Sequence, residues 1–154
     1  MKIGIIVFSR TGNTLAVAEK ILDACRKNGH EAALLRIRAE HEEPGGKFPL
    51  KLTELPDPSA FDAVLFGAAV EAFSLSQVLK AYLEQLPALR GKRAGCFVTQ
   101  QLAKPWLGGN RAIRQMRALC LEKGMDVKAT GIVNWSNKAR DAQIADVAAR
   151  LGKI

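Results

Sequence analysis

Six consecutive residues near the start of the chain, Ser9-Arg10-Thr11-Gly12-Asn13-Thr14, carry the densest set of chemistry-bearing groups in the sequence. They contain three hydroxyls, a guanidinium, a carboxamide and one glycine. The apolar run Ile3-Gly-Ile-Ile-Val-Phe8 precedes them and reads as a core strand. An apolar-periodic segment follows, with Leu15, Ala18, Ile21, Leu22 and Cys25 on one helical face. The six residues therefore sit on a turn between a strand and the start of a helix. The first backbone N–H groups of a helix have no partner within it and carry partial positive charge. Ser9, Thr11 and Thr14 add hydroxyl donors, and Gly12 lets the backbone come close to a ligand. This donor set suits a dianionic phosphate. The alternative is a plain Ser/Thr helix cap with no ligand.

The spacing excludes several better-known anion loops. One glycine cannot make the dinucleotide fingerprint G-x-G-x-x-G. The mononucleotide loop G-x-x-x-x-G-K-[ST] is missing, as is the cysteine that opens a C-x5-R phosphatase loop. A phospho-receiver would place an aspartate where Ser9-Arg10 stands. The hydroxyl-rich loop S-R-T-G-N-T resembles the T/S-x-T-G-x-T phosphate loop of the flavodoxins, which holds the phosphate of FMN.

The elements that must position this loop alternate along the rest of the chain. Strands are expected at Glu31–Ile37, Phe61–Ala69, Arg93–Thr99 and Val127–Trp135. Helices are expected at Ser76–Leu86, with Val78, Leu79, Tyr82, Leu83 and Leu86 inward; at Asn110–Lys123, with Ile113, Met116, Leu119 and Cys120 inward; and at Lys138–Leu151, with Ile144, Val147, Ala148 and Leu151 inward. Residues 39–60 read as a long polar connection rich in proline and glycine, including Pro44-Gly45-Gly46. The strands lack in/out alternation, as parallel strands buried on both faces should. The fold class is therefore α/β: a three-layer, doubly wound, five-stranded parallel sheet covered by helices on both sides. The flavodoxin resemblance gives it the order 2-1-3-4-5 and one domain over residues 1–154.

Such a sheet binds ligands beyond the carboxyl ends of its strands, where the strand order reverses. Three segments converge there: Ser9–Thr14, Val70–Ser76 and Thr99–Asn110. The resemblance implies that Ser9, Arg10, Thr11, Gly12, Asn13 and Thr14 hold the FMN phosphate. It implies that Val70, Glu71, Ala72 and Phe73 flank the isoalloxazine ring. Thr99, Gln100, Gln101, Trp106, Gly108 and Gly109 then line its pyrimidine edge. Trp106 covers the ring or plugs its own loop, whereas Trp135 reads as structural. The third loop departs from the flavodoxin pattern, which has a tryptophan and a glycine whose peptide flips toward the reduced ring. Here Phe73 is present and glycine is not. The fourth loop lacks the G-D pair and stacking tyrosine, and the only tyrosine, Tyr82, lies on a helix.

Charge and composition narrow the function classes. The chain has 154 residues with 23 Lys and Arg against 15 Asp and Glu, a net charge of +8. Arg10, Lys104, Arg111 and Arg114 fall near the expected mouth, which favours acidic partners or anionic substrates. No nucleic-acid-binding module is recognisable. No apolar run reaches the roughly 18 residues of a membrane span, and no signal peptide opens the chain, so a cytoplasmic setting is expected. Cys25, Cys96 and Cys120 form neither a disulfide framework nor a zinc motif. His30 and His41 make no ligand set, so no metal is expected. No acid, base or nucleophile is nominated, because a flavin would supply the chemistry. The expectation is an FMN-dependent redox protein that passes electrons to a partner protein or reduces a small quinone-like acceptor in two-electron steps. The alternative is a flavin-free module that uses the loop for another phosphorylated ligand.

Overall fold

The computed structural model describes residues 1–43 and 48–154; the Pro44-Gly45-Gly46 part of the expected 39–60 connection lies outside the described residues. The chain runs β1 (Lys2–Val7), α1 (Asn13–Lys27), β2 (Glu31–Arg36), β3 (Arg38–Glu40), β4 (Lys51–Glu54), a 3-10 turn at Pro58–Ala60, β5 (Ala63–Glu71), β6 (Ser74–Leu75), α2 (Gln77–Gln85), β7 (Arg93–Gln100), α3 (Gly109–Glu122), β8 (Asp126–Asn134) and α4 (Arg140–Leu151). The five long strands form one parallel sheet in the order β2-β1-β5-β7-β8. This is the doubly wound order that the flavodoxin resemblance implies.

Successive side chains of a strand point to opposite faces. Ile6, Val64 and Phe66 accordingly join a core beneath α2 and α3, with Phe8, Tyr82, Met116 and Cys120. Ile3, Ile5, Val7 and Leu65 join a second core beneath α1 and α4, with Ile21, Phe97, Val147 and Leu151. Both faces of β1 are dry, which explains its unbroken apolar run. On α1, Val17 is fully buried alongside Ala18, Ile21 and Cys25, while Leu15 and Leu22 flank the core. All three cysteines are free and buried. Burial pushes the Cys25 thiol up, and a neighbouring Cys120 Sγ at 3.8 Å helps push Cys96 up as well.

Two features depart from the expected pattern. Part of the 39–60 connection is an antiparallel ribbon, in which Ala39 pairs with Leu52 and Glu40 with Lys51. Its strands have three and four residues, too short to leave a readable periodicity. Residues 70–76 are not simply a loop. Val70 pairs with Leu75 and Glu71 with Ser74, so β5 and β6 make a hairpin turning on Ala72-Phe73. Among the described residues, no helix is long and apolar enough to cross a membrane.

Candidate functional site

β1 ends at Val7, and the chain turns through Phe8–Gly12 before α1 starts. Gly12 caps α1 in a left-handed conformation, φ 100° and ψ −11°. A β-carbon placed there would meet nothing within 4 Å. The glycine therefore answers the backbone's twist and opens onto free space. Ser9 is buried, and its Oγ accepts the Leu15 N–H at 3.1 Å, so the hydroxyl caps the third residue of the helix from outside. The Ser9 proton stays free to donate. The N–H groups of Thr11, Gly12, Asn13 and Thr14 have no partner among the described residues. The first turn of α1 contains no acid to compete with an anion.

Thr14 is only 1% exposed. Its Oγ1 lies 2.8 Å from Thr99 Oγ1 on β7. This bond spans the sheet end, because β5 separates β1 from β7. It locks the start of α1 to the fourth strand of the sheet order. If Thr99 donates, the Thr14 proton is available to a ligand.

The hydroxyl loop forms one wall of a cleft of about 320 Å³ at the carboxyl ends of the strands. Ser9, Arg10, Thr11, Asn13 and Thr14 line it, facing Val70, Glu71, Thr99, Gln100 and Gln101. Thus all three segments singled out in the sequence meet. Phe8 and Ala69 complete the wall. Gly12, Ala72, Phe73, Trp106, Gly108 and Gly109 stand outside it. Phe73 and Trp106 project from the neighbouring loops, 57% and 68% exposed. Lys104 Nζ lies 5.6 Å from the centre of the Trp106 ring.

Glycines 108 and 109 have packing reasons to be glycine. A β-carbon on Gly108 would come within 2.8 Å of both Phe73 Cα and Val70 Cγ1, and its φ is 117°. A β-carbon on Gly109 would sit 3.3 Å from the Gln100 carboxamide. The loop before α3 is thereby pressed against the β5–β6 hairpin. That hairpin turns through Ala72 (φ 48°) and Phe73 (φ 61°), both left-handed. Two positive φ values match the twist of a two-residue hairpin, but glycine or asparagine usually supplies them. Each L-residue in that region costs about 1–2 kcal/mol.

Four residues of the site escaped the reading of the sequence: Gln115, Arg36, Asn134 and Gln143. Gln115 on α3 accepts from both Ser74 Oγ and Leu75 N–H at 2.9 Å, which pins the strained hairpin. Arg36, at the end of β2 and paired with Val7, donates from Nη2 to the Ser9 carbonyl at 2.8 Å. A guanidinium thus lies beneath the hydroxyl loop. Strand order would have pointed to it, since β2 borders β1. Asn134 accepts from Gln100 Nε2, and its own backbone N–H donates to Gln143 Oε1 at 2.8 Å. This network fixes the Gln100 amide, whose Oε1 is buried and has no partner among the described residues. Tyr82 is buried in the core, and its hydroxyl donates to the Pro56 carbonyl. It is remote in role from the cleft, and burial pushes its pKa well above the usual value. Trp135 packs against the second core, with Arg140 4.9 Å from its ring centre.

A hydroxyl-lined loop at the switch point of a 2-1-3-4-5 sheet, on this order of elements, decides the fold. It is flavodoxin-like. The two-electron-reduced flavodoxin of Megasphaera elsdenii superposes over 99% of both chains, with a TM-score of 0.72 at 20% identity. A single-site mutant of the flavodoxin from Pseudomonas aeruginosa matches over 98% of this chain and 99% of its own, with a TM-score of 0.65 at 22% identity. The flavodoxin-fold similarity extends to a WrbA-like flavodoxin protein from Agrobacterium tumefaciens, TM-score 0.68 at 16% identity, covering 99% of this chain and 95% of that one. No family model matches the chain, and no curated protein sequence matches it. The two loops that depart from the flavodoxin pattern in sequence are thus carried on a flavodoxin-like frame.

Proposed function

We propose that this chain binds FMN in the cleft and acts as a flavin-dependent redox protein. The observation that carries the reading is the cradle itself. It offers four unpartnered N–H groups, the Ser9, Thr11 and Thr14 hydroxyls and a left-handed Gly12 facing open space. These residues fit a phosphate dianion, because each charge-assisted bond can replace a water without a competing acid nearby. Arg36 beneath the loop and Arg10 on its rim add positive charge. The bound flavin would supply the electron chemistry, and the protein would supply binding, orientation and field.

On this reading the loop residues Ser9–Thr14 hold the phosphate. Val70, Glu71, Ala72 and Phe73 flank the ring, and Thr99, Gln100, Gln101, Trp106, Gly108 and Gly109 shape the opposite edge. Two-electron reduction of a quinone-like acceptor is favoured over one-electron carriage by the β5–β6 hairpin. Its turn has no glycine and is held by Gln115 on one side and by the Gly108 backbone on the other. The Gln115 bonds fix Ser74 and Leu75 directly after the turn, and Gly108 packs on the Phe73 backbone, which restrains reorientation of the Ala72–Phe73 peptide. The unpaired bases on the rim favour the more negatively charged, fully reduced cofactor. Three buried free thiols fit work in a reducing cytoplasm.

The test has two stages. Purified protein should show the visible absorbance of oxidised flavin, and denaturation should release FMN. Photoreduction of the holoprotein should then pass directly to the fully reduced spectrum. Absence of flavin binding at micromolar FMN would sink the cofactor reading and restore the phosphorylated-ligand alternative. A strong long-wavelength band at half reduction would restore the one-electron carrier.

A further inference from the structure

We infer that the face around the cleft mouth, continued along α3, is the docking surface for an acidic protein. Two independent features carry this. The first is apolar. Phe73, Leu102, Trp106 and Leu107 are large hydrophobic side chains left exposed. They belong to two loops that touch, since Gly108 lies against the Phe73 backbone. The second is charge. Residues 8–14, 69–76 and 99–122 contain Arg10, Lys104, Arg111, Arg114 and Arg117, opposed only by Glu71 and Glu122.

The three α3 arginines are exposed and recur every three residues. Among the described residues, none of these five bases has a carboxylate within ion-pair distance. Elsewhere Arg38, Lys80 and Arg150 have such a partner while Lys20, Lys27, Arg90 and Lys153 have none among the described residues, so what distinguishes this face is the clustering of its five bases beside exposed apolar side chains. A helix face of unpaired arginines beside an exposed tryptophan is the composition of an interface with a hot-spot centre and a charged rim.

The geometry selects the class of partner. From Arg111 to Arg117 the helix advances six residues, about 9 Å, away from the cleft. One small anion held in the cleft cannot reach that far, so a small substrate leaves the ladder unexplained. A single-stranded nucleic acid needs aromatic platforms repeated along a basic groove. Here the aromatics cluster at one end and the arginines stand on a convex helix. An acidic protein surface satisfies both parts: its apolar centre covers Trp106 and Phe73, and its carboxylates meet the ladder. The inference rests on the redox reading only for the purpose of the contact, which would bring a redox centre over the cleft.

The test uses the FMN-loaded protein and surface plasmon resonance. Two proteins serve as immobilised probes: an acidic 2Fe–2S ferredoxin and the basic haem protein cytochrome c. The ferredoxin should bind and cytochrome c should not. The on-rate should fall about tenfold as salt rises from roughly 0.01 M to 0.1 M, because the Debye length shrinks from about 30 Å to 10 Å. Arg111→Glu with Arg114→Glu should cut the on-rate by at least about tenfold, and Arg111→Gln with Arg114→Gln by less. Trp106→Ser should speed dissociation and leave the salt dependence unchanged. Lys20→Glu with Lys27→Glu, an equal change of net charge on α1 at the opposite face, should change the on-rate less than about twofold.

Equal loss in the two charge-reversed pairs would overturn the inference, since net charge alone would explain binding. Tighter binding of a 20-nucleotide single strand, lost in the same arginine variants, would overturn it in favour of nucleic acid. Flavin content is read from the absorbance of the same samples. Docking lost with flavin bound sinks this inference alone, whereas docking retained without flavin sinks only the redox reading.

Discussion

Replacing Thr99 by Val removes one oxygen and keeps nearly the same shape. In the structure that oxygen is the 2.8 Å partner of Thr14 Oγ1, and Thr14 as a whole is only 1% exposed. The substitution loses a buried hydrogen bond, worth about 0.5–1.5 kcal/mol net, and leaves the Thr14 hydroxyl unsatisfied at about 1–3 kcal/mol. Thr99→Val should therefore destabilise the flavin-free protein by about 1–2 kcal/mol. For a chain of this size that is a fall in Tm of roughly 2–8 °C. Thr14→Val leaves Thr99 in the same position and should cost a similar amount. The double variant leaves no orphan hydroxyl, so its cost should be less than the sum of the two. The interaction term should reach at least about 0.5 kcal/mol.

Urea unfolding of the four proteins without flavin measures the cycle. The same four proteins titrated with FMN measure the consequence for the cradle. Thr99 also lines the cleft, so the part of its effect on affinity that acts through the orientation of Thr14 is the part that disappears once Thr14 is already Val. Binding should weaken by about three- to tenfold in Thr99→Val, and no further when that change is added to Thr14→Val. Stabilities additive within about 0.3 kcal/mol would mean that the two hydroxyls do not bond, and the account of a loop locked to β7 would fail.

Gly12→Ala meets no steric obstacle within the protein, but it must hold a left-handed backbone at about 1–2 kcal/mol. FMN affinity by calorimetry should fall about five- to thirtyfold. Arg36→Met removes the donor to the Ser9 carbonyl, and FMN binding should weaken and lose part of its salt dependence. Ala72→Gly relieves one left-handed residue of the hairpin, so urea unfolding should show a gain of about 0.5–1 kcal/mol. Asp57 accepts from Ser59 N–H, which holds its carboxyl below the usual value. Its contribution is present above the ordinary aspartate range and lost as pH falls through the lowered value. Asp57→Asn should therefore lower stability at neutral pH, leave it nearly unchanged at acid pH where Asp57 is already protonated, and so flatten the acid limb.

How much of this was legible without the fold divides by the range of the interactions. The S-R-T-G-N-T loop, the strand before it and the helix after it are local, and the sequence alone determined their type and order. Unbroken apolar runs set the five parallel strands, and apolar periodicity the four helices, to within two residues at most ends, because the strands are buried on both faces and each helix on one. The three cleft segments followed from the rule that ligands gather at strand carboxyl ends. The β3–β4 ribbon and the β5–β6 hairpin did not, since such short strands exist only through their pairing with distant or folded-back chain. Nor could spacing show that Ala72 and Phe73 would accept left-handed backbone, because that strain is held by Gln115, some forty residues away on α3. Tertiary structure alone decided the Thr14–Thr99 bond, the Arg36 guanidinium beneath the loop and the exposure of Trp106. Each depends on two segments brought together by the sheet order, and a hydrogen bond or a desolvated charge is set by the distance between partners, which residue types along one chain do not encode.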